Sequence, residues 1–124
     1  LIGLTKNNLE KKEVKYKKKL FDELEKTIFL MKNLSENLNA DFKIVYIPDI
    51  LKFKNKEYTT LRLSHLFDIK DFEEILKNTN VAWLNFYQIM LDSKDPLSFY
   101  PLKLKGHFTP EGYKILAKEI QNFL

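Results

Sequence analysis

The chain has 124 residues, 44% of them hydrophobic and 14% aromatic. That is the make-up of a folded domain with a modest core, not of a disordered segment. It contains no cysteine, which excludes disulfides, thiolate catalysis and cysteine-type zinc sites. The net charge of +4 is unevenly placed: residues 1–19 hold seven lysines against Glu10 and Glu13, and the rest carries 14 Lys and Arg against 15 Asp and Glu. Arg62 is the one arginine, so the bidentate guanidinium contacts that usually read phosphates and bases are scarce. The basic run reads as a solvated helix face, with an anionic-surface binder acting through residues 6–19 as a weaker alternative; no nucleic-acid partner is expected. No apolar run approaches the roughly 20 residues of a membrane span, and no signal-peptide pattern is present. The abrupt start at Leu1, without an initiator Met, reads as an excised piece.

Taken in order, residues 6–39 are predicted to form one long helix. Val14, Leu20, Leu24, Ile28, Met31, Leu34 and Leu38 recur at steps of three, four or six, the spacing of an apolar face. Its first third is mostly charged, so residues 1–19 are read as a lysine-rich helical extension and 20–124 as the packed domain. Asn39 can end the helix, because Asn tolerates the left-handed conformation. Phe42 to Ile47 is a β-branched and aromatic run closed by Pro48-Asp49, a strand whose continuous apolarity predicts burial on both faces. Pro48-Asp49 then falls at the strand's carboxyl end, where ligands bind in open α/β sheets.

Residues 50–57 are polar and lysine-rich, a loop or frayed turn. Tyr58 to Phe67 reads as a short helix with Thr59 or Thr60 as cap. Asp68 or Asp71 caps a clearer helix, Phe72 to Lys77, closed by Asn78-Thr79-Asn80. Val81 to Phe86 is the second strand, with Trp83 in the core. Tyr87 to Leu91 is a helical turn, and residues 92–108 are a long loop containing Asp95-Pro96 and Tyr100-Pro101; loops of that length are usually functional or disordered. The connection between the strands is long enough for a parallel crossover. Two strands are too few for an independent sheet, so the fold is expected to be completed by sequence absent here, or by a partner.

The last block is the most informative. In Gly106-His107-Phe108-Thr109-Pro110-Glu111-Gly112-Tyr113, a loop histidine stands just before a helix start. Thr109 suits the N-cap, Pro110 the first helical position and Glu111 the first turn. Tyr113, Leu116, Ala117, Ile120 and Leu124 then follow at helical spacing. His107 is one of two histidines; a loop histidine held against a capped helix is a plausible general base. His65, in Leu63-Ser64-His65-Leu66, has no acid or ligand at suitable spacing and reads as structural.

Phe99-Tyr100-Pro101, the Gly106–Tyr113 block, and Ala117 and Ile120 together resemble the terminal block of SGNH (GDSL-like) hydrolases. There the catalytic histidine precedes an N/T-P-x-G-Y/H turn and the last helix. The Phe42–Pro48 strand, ending in Ile-Pro-Asp, also resembles that family's central strand. The resemblance implies part of a doubly wound, mostly parallel α/β sheet flanked by helices, flavodoxin-like and incomplete in this chain. It implies a serine esterase acting on carbohydrate or lipid O-acyl esters, with His107 as general base and no cofactor or metal. Family members are often extracytoplasmic, but nothing in the chain gives a compartment.

Two features depart from the family pattern. The Gly-Asp-Ser nucleophile block is absent, and Ser35, Ser64, Ser93 and Ser98 lack its context, so the serine is expected outside this chain, in the rest of its own polypeptide. The family's aspartate two or three residues before the histidine is replaced by Lys105 and Leu104. Asp95 is the candidate orienting acid, with Asp92 or a backbone carbonyl as substitutes. A non-catalytic member, keeping the fold for binding or assembly, is the alternative these departures favour. Asp68/Asp71 and Glu73/Glu74 read as helix caps and first-turn charge, not as a glycosidase pair. There is no metalloprotease, EF-hand, P-loop or dinucleotide motif.

Overall fold

The computed structural model describes residues 6–54, 68–104 and 106–124. The expected helix over Tyr58–Phe67, with Ser64 and His65, lies outside the described residues. The chain divides into two compact units: Leu1–Phe42 with Thr59–Ala82, and Lys43–Tyr58 with Trp83–Leu124. The architecture is mixed helix and strand, with a two-stranded parallel sheet.

The first unit is built on α1 (Lys6–Asn37) and α2 (Ile69–Thr79), which pack together. α1 runs unbroken across residues 19 and 20, where the lysine-rich extension meets the rest. Its expected apolar stripe divides in two. Leu20 and Leu24 are half-buried and Ile28 is buried, whereas Val14, Met31, Leu34 and Leu38 are exposed. The cause is the spacing: each step of three, Ile28 to Met31 to Leu34, falls roughly 60° short of a full turn, so the stripe rotates off the inner face. Beyond Ile28 that face is carried by Lys32. Its ammonium donates to the carbonyl oxygens of Thr79 (3.2 Å) and Asn80 (3.1 Å), placing a cation at the negative end of α2. Lys17 meets Asp71, in the first turn of α2, at 2.7 Å. Asn78 Nδ2 donates to Glu25 Oε2 at 3.0 Å. Lys17 touches the start of α2 and Lys32 its end, so the two helices run in the same direction.

Local sequence explains both ends of α2. The Asp68 carboxylate accepts from the N–H groups of Lys70 and Asp71, and the Asp71 carboxylate accepts from the Asp68 N–H, a reciprocal capping box. The helix starts three residues earlier and ends two later than the pattern predicts. At the far end Asn80 takes φ 51°, and the N–H groups of Asn80 and Val81 return to the oxygens of Lys77 and Leu76. α1 ends the same way: Asn39 takes φ 54°, and the Asn39 and Ala40 N–H groups donate to Glu36 and Ser35. Both are Schellman closures with Asn in the position that usually holds Gly.

The second unit holds β1 (Lys43–Tyr46), β2 (Ala82–Asn85, whose first residue closes the first unit), α3 (Phe86–Leu91) and α4 (Pro110–Phe123). Short 3₁₀ turns lie at Ile50–Lys52, Pro96–Phe99 and Pro101–Lys103. The β1 residues are half-buried, not fully enclosed as their apolarity suggests; Trp83 is half-buried too. Asn85 ends β2 and caps α3, accepting from the Gln88 N–H. The core is Ile50, Phe86, Met90, Phe99, Tyr100, Phe108 and Leu116. Phe86 meets Phe99 and Phe108 at 5.9 and 5.8 Å between ring centroids. Phe108 also packs edge-on against Tyr100 at 5.0 Å, a favoured arrangement of aromatic rings. Among the described residues no helix is long and apolar enough to cross a membrane.

Candidate functional site

His107 stands between two residues that fix it in different ways. Gly106 has φ 152°, a conformation L side chains rarely adopt, so a glycine is needed where the loop turns. Phe108 is buried among Phe86, Phe99, Tyr100 and Tyr113. The buried ring anchors the backbone while the neighbouring imidazole stays exposed.

The helix start behind it forms as the local sequence requires. Thr109 Oγ1 accepts from the Gly112 N–H at 3.0 Å, with Pro110 at the first helical position. The Thr109 N–H donates to the Phe99 carbonyl at 2.7 Å, tying the His107 loop to the preceding 3₁₀ turn. Gly112 explains itself at the same point. A Cβ there would lie 3.1 Å from the Phe99 oxygen and 3.2 Å from both Phe108 Cβ and Thr109 Oγ1. On α4, Leu116 is buried and Ile115 and Ile120 join the core, whereas Tyr113, Ala117 and Leu124 from the predicted stripe are exposed.

His107 opens onto a cleft of about 520 Å³. One wall is Ile47, Pro48, Asp49 and Ile50, just beyond the carboxyl end of β1; the other includes Tyr100, His107, Phe108, Tyr113 and Leu116. Tyr113 Oη lies 3.4 Å from His107 Nδ1, a long contact in which either group can donate. The Tyr100 hydroxyl donates to the Pro48 carbonyl at 2.9 Å, joining the two walls. Burial, with the Asp49 charge adding to it, pushes the Tyr100 hydroxyl far above the usual phenol range, so it remains a donor. Asp49 itself is exposed between buried Pro48 and Ile50.

The other residues singled out from sequence are placed as follows. The Asp95 carboxylate meets the Lys103 ammonium at 2.6 Å and accepts from the Leu97 N–H at 3.2 Å. The hydrogen bond from Lys103 leads the effects that hold its carboxyl below the usual range. Asp92 accepts from Gln88 Nε2 at 2.8 Å. Ser93 Oγ donates to the Met90 carbonyl and Ser98 Oγ to the Asp95 carbonyl. Ser35 lies in α1. None of these five lines the cleft. Leu104 is exposed, and Lys105 lies outside the described residues. Among the described residues no group of three or more His, Asp or Glu is placed to hold a metal ion.

Sequence reasoning put Pro48-Asp49 at the ligand end of the strand but gave Asp49 no role beside His107. The available signal was the alternation at 48–50, one carboxylate between two residues suited to burial. Compared with protein families, curated proteins and solved structures, the chain has no match in any of the three.

Proposed function

We propose that the chain is the histidine-bearing portion of an SGNH-type acyl-ester hydrolase, with His107 as general base and the serine supplied from outside this chain. One observation carries the reading: His107 lines a cleft beyond the carboxyl end of a parallel strand, between Gly106 and the anchored Phe108. That is the end of an α/β sheet where ligands bind. The finer fold, a doubly wound flavodoxin-like sheet, belongs to the same proposal; its support is the parallel strand pair and the terminal block before α4.

In the proposed reaction the serine oxygen bonds to the acyl carbon as its proton passes to His107. The alcohol then leaves with that proton, and water, giving its own proton to His107, releases the acid and restores the serine. The substrate class is an O-acyl ester of a carbohydrate or lipid. The apolar cleft wall of Ile47, Ile50, Phe108 and Leu116 is compatible with an acyl chain.

The second reading is a non-catalytic domain that keeps the cleft for binding or assembly. It is favoured by the Asp95–Lys103 pair and the exposed Leu104, which leave the usual acid position before the histidine unfilled. The experiment restores the natural upstream sequence and compares wild type with His107→Ala on a generic acetyl ester. Loss of turnover in the variant supports the base; equal turnover in both removes it and leaves the binding reading.

A further inference from the structure

We infer that Tyr113 is a positioning residue for His107: its hydroxyl holds the Nδ1 side of the ring, so that Nε2 is the nitrogen that takes the proton. The inference rests on the reading of His107 as a base and adds which ring nitrogen works and what orients it. The contact is direct. Tyr113 Oη lies 3.4 Å from His107 Nδ1, and both residues line the cleft. Hydrogen bonds of catalytic groups are often this long before substrate binds and tighten in the complex.

Phe108 fixes both partners. It follows His107 in the chain, and its buried ring packs edge-on against the Tyr113 ring at 5.6 Å between centroids. The Tyr113 backbone is held as well, its N–H donating to the Thr109 carbonyl at 2.9 Å in the first turn of α4. Helical spacing places Tyr113 in the apolar stripe, yet the structure leaves it about half-exposed, with its hydroxyl against the imidazole.

A neutral imidazole serves as a base through the nitrogen that carries no hydrogen. If that nitrogen is Nε2, Nδ1 carries the proton and needs an acceptor, which the phenol oxygen supplies. Exposure lets the phenol hydrogen turn to water meanwhile. When Nε2 takes the serine proton, both nitrogens carry hydrogen and Nδ1 faces Tyr113 only as a donor. The contact is then charge-assisted and stronger than in the neutral ring. Tyr113 therefore favours the protonated state through which the reaction passes, while its own proton stays in place. A neutral hydroxyl does this less strongly than a carboxylate would.

The test is Tyr113→Phe, which removes the hydroxyl and keeps the ring on Phe108. In the chain with its natural upstream sequence restored, kcat on an acetyl ester is expected to fall about 10- to 10²-fold with KM little changed. Wild-type kcat in Tyr113→Phe, alongside loss in His107→Ala, overturns the inference and keeps the base. Full turnover in His107→Ala overturns both. A second arm needs no activity: NMR of the histidine ring nitrogens in the 124-residue chain, with the His107→Ala spectrum assigning the two histidines. At a pH where the ring is neutral, wild type should favour the proton on Nδ1, and Tyr113→Phe should move it toward Nε2. Identical ring-nitrogen resonances in wild type and Tyr113→Phe overturn the inference whatever kcat does.

Discussion

The two units achieve order by different means. In the helix unit polar links join α1 and α2 along their length: Lys17 to Asp71, Glu25 to Asn78, Lys32 to the last carbonyls of α2. Among its described residues the buried set is Ile28, Ile75, Leu76, Thr79 and Val81. The strand unit is held by a contiguous apolar core in which Phe86, Phe99, Tyr100 and Phe108 meet ring to ring. Surface ion pairs are each worth little and are screened by salt, whereas buried aromatic rings contribute several kcal/mol each. The candidate site lies on the second kind of scaffold. A loop histidine can stay exposed and still be fixed only if its neighbour is firmly buried, and Phe108 meets that need.

The largest test of this contrast is Phe86→Ala. The side chain is fully buried and touches two other rings. Its removal should cost about 3–5 kcal/mol by urea unfolding; a cost below about 1 kcal/mol would show that the aromatic core is not what stabilises this unit.

Gly112→Ala comes next. The added methyl would press on the Phe99 carbonyl, Phe108 and the capping hydroxyl of Thr109, so a loss of about 1–3 kcal/mol is expected. The His107 loop should loosen with it, seen as faster amide exchange at Thr109. An unchanged exchange rate would mean that the loop is positioned without this close approach.

Lys17→Met should have the smallest effect, under about 1 kcal/mol, because the pair it breaks is partly exposed. Burial tends to raise the Asp71 carboxyl. The hydrogen bonds from Lys17 and the Asp68 backbone, with the Lys17 charge, outweigh it and hold the group below its ordinary value of 3.8. A carboxyl lowered in the folded state adds stability that is present above the ordinary value and is lost as pH falls through the lowered one. The variant should therefore lose less stability on acidification than wild type, by unfolding midpoints at neutral pH and in acid. Parallel pH profiles would assign no role to the pair.

Much of the local structure was legible from residue types. Asn39 and Asn80 end their helices in the left-handed conformation, and Thr109-Pro110 starts α4. These are short-range bonds within a few residues, so the pattern that makes them is written contiguously. The α1 stripe misled because hydrophobic spacing counts apolar residues without weighing their angle. The true inner face continues through Lys32, a polar residue whose use depends on carbonyls 47 and 48 positions away. At the site, His107 was legible from its motif, whereas Asp49 was visible only as an acid at a strand end.

By itself the sequence determined the helix caps, the two strands, the absence of thiol chemistry and the choice of His107 as the candidate base. Only the tertiary structure decided which acid, among the described residues, lines the cleft with it. Asp95 is closer in sequence but is drawn to Lys103, while Asp49, 58 positions away, is carried to the cleft by β1 and the Tyr100–Pro48 hydrogen bond. Caps are set by bonds that span one turn of chain. A cleft is set by which distant segments bury their apolar sides together, and sequence distance does not measure that.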